Sequence, residues 1–112
     1  MPSNDPLGSV ALATCELYEH LLQRIKAIGP FQIEIKKTSI HPTRKSAFAG
    51  VHPRKLFLMV TIKAKEPIDS GRVAKAEQVS KGRWHLDVWV ATKEEIDADL
   101  LGWLKQAYEL CG

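Results

Sequence analysis

The 112-residue chain has only two cysteines, Cys15 and Cys111. Two thiols cannot build a disulfide framework, so a reduced protein in the cytoplasm is expected. No apolar run approaches the roughly 20 residues that a membrane helix needs, and no membrane association is expected. The opening stretch MPSNDPLGSVALATC has no Lys or Arg, and a secretory or mitochondrial leader is not expected. The four histidines, His20, His41, His52 and His85, show no metal-ligand spacing with one another or with a cysteine. Neither a structural zinc site nor any other metal or cofactor is therefore expected. There is no glycine loop of the phosphate-cradling type and no nucleophile elbow. Glu34-Ile35-Lys36 has the acid-x-Lys form of restriction-type nucleases. The partner acid those enzymes need upstream is missing, because only Asp5, Glu16 and Glu19 precede Glu34. With no reaction specified, no catalytic residue is assigned, and a binding module is favoured over an enzyme.

What the chain does contain is a globular balance, 45% hydrophobic and 26% charged, in a length that suits one domain. The formal charge of +3 is unevenly spread. Residues 1–35 carry −2, residues 36–85 carry +9 and residues 86–112 carry −4. A basic middle concentrates anions near it, although lysines of this kind also serve solubility alone. Three pairs stand out, Lys36-Lys37, Arg44-Lys45 and Arg54-Lys55, with no acid between the first and the last. Cations in or beside turns suit phosphate contacts that position a ligand without reading sequence.

Residues 1–9, with Pro2, Pro6 and Gly8, read as a flexible arm, and residues 10–112 as the domain. From about residue 10, Leu17, Leu21, Ile25 and Ile28 recur at helical spacing until Gly29-Pro30 stops the helix. In FQIEIK, Phe31, Ile33 and Ile35 alternate as a half-buried strand. Short strands are expected at 38–41 and 46–51, with HPTRK as the turn between them. Ala49-Gly50 suggests a bulge or a close backbone approach. The strongest strand is 56–64, with Leu56, Leu58, Val60 and Ile62 on the inner face. Residues 65–82 read as a long loop with a helical turn near 73–79. A further strand at 83–91 turns Trp84, Leu86, Val88 and Val90 inward. Thr92-Lys93-Glu94-Glu95 has the capping-box form, and Ile96, Leu100, Trp103, Leu104, Ala107 and Leu110 make the stripe of the last helix.

The expected fold is α+β: a helix, a four- or five-stranded antiparallel sheet and a helix, with both helices on one face in two layers. The opposite face then has no helix to cover it. Parity places Lys36, Phe57, Met59, Lys63, Arg83, His85 and Trp89 there. Aromatics beside cations stack bases and hold phosphates. The same set also suits the middle of a homodimer or partner interface, or lies under the loop at 65–82 or the N-terminal arm. The candidate ligand-binding residues are Lys36, Lys37, Arg44, Lys45, Arg54, Lys55, Arg83 and His85, for an anionic partner such as nucleic acid. Phe57, Met59 and Trp89 are the candidate interface residues of the alternative, a homodimerising or partner-binding module. A third alternative is a small enzyme relying on His85.

KKTSIHPTRKSAFAGVHPRKLFLMVTI followed by RWHLDVWVATKEEIDADLLGWLKQAY resembles the family of domain of unknown function 5655, over about residues 12–110. The resemblance rests on Lys37-x-x-Ile40, on Phe48-Ala49 before Pro53-x-Lys55, on the strand at His85 and on the Asp97 to Tyr108 helix. It implies a bacterial or archaeal fold unit, standing alone or fused to other modules, and no particular reaction. Lys37, Lys55, His85 and Tyr108 are the positions it singles out. The layout is also loosely similar to frataxin, whose acidic ridge is not reproduced, since the first helix offers only Glu16 and Glu19.

Overall fold

The computed structural model of the chain describes residues 11–112, so the arm expected at 1–9 lies outside the described residues. Helix α1 spans Leu12–Lys26 and buries Leu17, Tyr18, Leu21 and Ile25, the stripe read from the spacing. Its first turn lacks a side-chain cap and an acid. Instead the turn before β4 receives it. Ala11 N–H donates to the Lys55 carbonyl at 3.1 Å, and the buried Thr14 hydroxyl donates to the same oxygen at 2.9 Å. At the other end Gly29 is needed for space. A Cβ there would lie 2.5 Å from the Tyr108 hydroxyl, which itself donates to the Pro30 carbonyl at 2.6 Å.

Six strands follow rather than four or five: β1 Gln32–Ile35, β2 Ile40–Thr43, β3 Ala49–Pro53, β4 Leu58–Ala64, β5 Val73–Ser80 and β6 Arg83–Val90. They form one antiparallel sheet in the order β1-β2-β3-β4-β6-β5. The extra strand is β5, in the segment expected to be a loop. It escapes a hydrophobic reading because VAKAEQVS has only small and polar residues between its two valines, and seven of its eight positions are exposed. The backbone ladder to β6 holds it, through a turn in which Gly82 takes φ of 68°. At its start Arg72 donates to both Asp97 carboxylate oxygens, at 2.8 and 2.9 Å, and to the Glu95 carbonyl at 2.7 Å. Residues 65–68 border α2, on the helix side of the sheet, so the loop does not cover the opposite face.

Three local expectations also shift. Pro42, expected in a turn, lies inside β2. That strand meets β3 in register only at Ile40↔Val51, so the missing proline N–H removes no register pair there. Leu56, expected inside, is 70% exposed because it sits in the turn before β4, closed by Arg54 N–H to the Phe57 carbonyl. Ile33 and Ile35 are more exposed than a half-buried strand implies, since β1 is the outer edge of the sheet.

After β6, Glu95 accepts from the Thr92 N–H at 3.1 Å and the Ala91 N–H at 2.8 Å, closing a 3-10 turn at Lys93–Glu95. Helix α2, Ala98–Leu110, then takes its own cap from Asp97, which accepts from Leu100 N–H at 3.0 Å. That bond, with the Arg72 guanidinium, holds the Asp97 carboxyl below the usual carboxylate range. Both helices lie on one face, as expected. Val51, Val60 and Val88 form a register row beneath them, flanked by Ala49, Ile62 and Leu86 on one side and by Leu58 and Val90 on the other, all at most 3% exposed. Among the described residues no helix is long and apolar enough to cross a membrane.

Candidate functional site

The strand register that lines up the core also lines up rows on the opposite face, because side chains alternate between faces. One row is His52, Met59 and Trp89, across β3, β4 and β6. The next is Gly50, Thr61, Asp87 and Lys75, reaching β5. The third is Lys63, His85 and Glu77. On β2, His41 pairs with Glu34 of β1. These residues, apart from Trp89 and Glu34, line an open trough of about 530 Å³, with Lys36 at its rim.

Glycine is required at the centre. A Cβ on Gly50 would stand 3.1 Å from His41 Cε1 and 3.4 Å from His52 Nε2. The bare backbone lets two imidazoles close in, their ring centres 6.2 Å apart and their planes at 85°. His41 Nε2 is 2.7 Å from the hydroxyl of the buried Ser39. Burial lowers the His41 pKa below 6.5, and Lys36 and His52 push the same way against Glu34. Burial also lowers that of His52, helped by Arg54 and opposed by Asp87. Both rings are therefore neutral at pH 7 and act as hydrogen-bonding groups rather than cations. The Thr61 hydroxyl donates to Asp87 Oδ1 at 2.7 Å.

Three cations border the trough. Lys36 pairs with Glu34 at 3.4 Å and Lys75 with Glu77 at 3.3 Å, both well exposed and weak. Lys63 is half-buried between β3 and β6 and makes no salt bridge among the described residues.

Of the residues chosen from sequence, Lys36, Met59 and His85 line the trough, and Lys37 is exposed just beyond Lys36. Arg54 and Lys55 occupy the β3–β4 turn at the end where His52 stands. Arg83 begins β6, donates to the Gly82 carbonyl at 3.0 Å and borders a smaller hollow of about 220 Å³ with Lys63 and His85. Arg44 and Lys45 are elsewhere. Arg44 lies over the Tyr108 ring, 4.0 Å from its centre, and donates to the Tyr108 carbonyl at 3.0 Å, while Lys45 N–H donates to the Cys111 carbonyl. That pair fastens the β2–β3 hairpin to the C-terminal end of α2, where cations suit the helix dipole. Phe57 and Trp89 stack at 4.7 Å and 9° beside the row of His52 and Met59. Strand parity puts Thr61 with Met59 and Lys63, and Asp87 with His85 and Trp89, but sequence reasoning did not bring His41, His52, Gly50 or Lys75 to that face. The i, i+2 spacing of Gly50 and His52 is a signal that ties those two to a common face.

The model of the family described as domain of unknown function 5655 matches residues 6–111. The chain belongs to that family. No curated protein and no solved structure matches it. In this member of the family the trough is built from five strands, β2 to β6, whose order only the fold reveals.

Proposed function

We propose that the chain is a binding module that holds an anionic ligand on the open face of its sheet. Lys63 provides the central cation, Lys36 and Lys75 the rim, and His41, His52 and His85 the hydrogen-bonding floor. The observation that carries this reading is Lys63, a half-buried ammonium on a face that, among the described residues, has no cover and offers it no paired carboxylate. A bound oxyanion supplies the missing partner through a charge-assisted hydrogen bond. The acids of the C-terminal helix do not compete, since α2 packs on the other side of the sheet and Asp97 is taken by Arg72. Nucleic acid is one anion of suitable form, and Arg54, Lys55 and Arg83 extend the basic surface beyond the trough.

The test is calorimetric titration with inorganic phosphate and with a short single-stranded oligonucleotide at two salt concentrations. Affinity for the oligonucleotide falls with salt if phosphates are contacted, and Lys63→Glu removes binding of both. Affinity that ignores both salt and Lys63 ends the reading. Self-association is the second reading, favoured by Trp89 at 54% and Leu56 at 70% exposure. It predicts a dimer by light scattering at micromolar concentration that Trp89→Lys disperses.

A further inference from the structure

The trough and the aromatic stack form one continuous surface. Met59 lines the trough and is the register partner of Trp89. The row of His52, Met59 and Trp89 lies two residues along the strands from that of Gly50, Thr61 and Asp87, a step of roughly 7 Å. Phe57 covers one face of the Trp89 indole, with centres 4.7 Å apart and planes 9° from parallel. The residue is nevertheless 54% exposed, so the indole is held at a fixed angle with its remaining surface in solvent. Arg54 and Lys55, in the turn that leads to Phe57, bring positive charge to the same end.

A bare oxyanion uses the cations and leaves this ring untouched. An apolar protein partner uses the ring and has to bury Lys63 unpaired, which is costly. A ligand that satisfies both joins a planar π-system to a phosphate. Resting on the anionic reading above, we propose that the ligand is a nucleotide unit, its base stacked on Trp89 and its phosphate in the trough beside His52 and Lys63. A free nucleotide and a stretch of single-stranded nucleic acid share this chemistry.

The experiment compares three probes on the full chain by calorimetry: inorganic phosphate, adenosine monophosphate and an eight-residue oligodeoxythymidine. In the wild type the nucleotide binds more tightly than phosphate by roughly five- to a hundred-fold, the range for one base stacked on an aromatic ring. Trp89→Ala brings the nucleotide down to the level of phosphate and leaves phosphate affinity unchanged, and Trp89→Phe restores part of the difference. Oligonucleotide affinity well above that of the nucleotide marks a strand as the source, and equal affinities mark a small molecule; both support the proposal. If phosphate and nucleotide bind equally and Trp89→Ala changes neither, the stacking platform is refuted while the anionic reading survives. If none of the three probes binds, that reading falls and this one with it. A dimer that buries Trp89 and excludes the nucleotide also overturns it.

Discussion

The two faces of the sheet come from the same strands and differ at every second residue. Under the helices, Val60, Ile62, Leu86, Val88 and Val90 are fully buried. Across the backbone from them, Thr61, Lys63, His85, Asp87 and Trp89 are polar, charged or aromatic and at most half-buried, apart from the exposed Trp89. The covered face needs shape alone, and apolar residues of about the right volume meet that need. The open face holds hydrogen-bonding groups whose desolvation has a cost, and which therefore need partners. The Thr61–Asp87 and Ser39–His41 pairs meet that need locally. Lys63 has no such local partner among the described residues. This difference is the reason the proposed site is placed on the open face, the covered one being accounted for by packing.

The largest expected effect breaks the covered face. Leu86→Ala leaves a cavity in the covered face and lowers stability by about 2–5 kcal/mol in urea denaturation, whereas Thr61→Val, on the open face of the adjacent strand β4, removes only the hydroxyl's bond to the half-buried Asp87 and costs about 0.5–1.5 kcal/mol. Equal losses would mean that the open face carries as much of the fold as the core does. The next largest effect inverts this asymmetry. Lys63→Glu places a carboxylate where the anion is proposed to sit and reduces phosphate affinity at least about tenfold, the equivalent of 1.4 kcal/mol. Its effect on stability stays within about 0.5 kcal/mol. A destabilised protein that still binds phosphate would show Lys63 to be a structural residue.

Much of the covered face is legible in the sequence, and less of the open one. The stripes of both helices and the alternation of β4 and β6 follow directly from hydrophobic spacing, because burial on one side imposes the period. β5 leaves no such trace: Ala74, Ala76 and Gln78 are small or polar and exposed, and backbone pairing selects no side chain. β2 and β3 are expected near their places, at 38–41 and 46–51, but Pro42 and Pro53 read as turn residues, which ends the first strand at His41 and leaves His52 in a turn. Parity on the long strands does place Met59, Lys63, His85 and Trp89 together. What it cannot supply is strand order, and the meeting of His41, His52 and Asp87 depends on β2 lying beside β3 and on β3 and β6 flanking β4. Gly50 is the intermediate case. Its place in a strand suggests a bulge or a close approach, and the approach turns out to be that of two imidazoles.

That glycine offers a milder perturbation. Gly50→Ala puts a methyl group 3.1 to 3.4 Å from both rings. On an open face the rings can swing outward, and the alanine also restricts the unfolded chain, so stability stays within about 1 kcal/mol of wild type. The histidine resonances of His41 and His52 move in NMR spectra, and phosphate affinity falls. Unchanged resonances would show that the two rings do not pack over residue 50.

The smallest effect is one of pH, and its sign follows from the lowered pKa values of His41 and His52. In the folded protein both rings take up a proton at lower pH than in the unfolded chain, where the ordinary value is 6.5. Above 6.5 neither state is protonated, and these groups do not affect stability. As the pH falls through 6.5, the unfolded chain binds protons first, and stability declines until the folded rings protonate as well. The urea midpoint of the wild type therefore drops below pH 6.5, and a variant carrying both His41→Asn and His52→Asn loses part of that drop while retaining what the carboxylates contribute at lower pH. Saturating phosphate opposes the decline, because an anion in the trough raises the pKa of the adjacent imidazoles and binds more tightly as they charge. If phosphate stabilises the wild type equally at pH 5.5 and pH 8, the anion sits away from the histidines, and the trough is not where it binds.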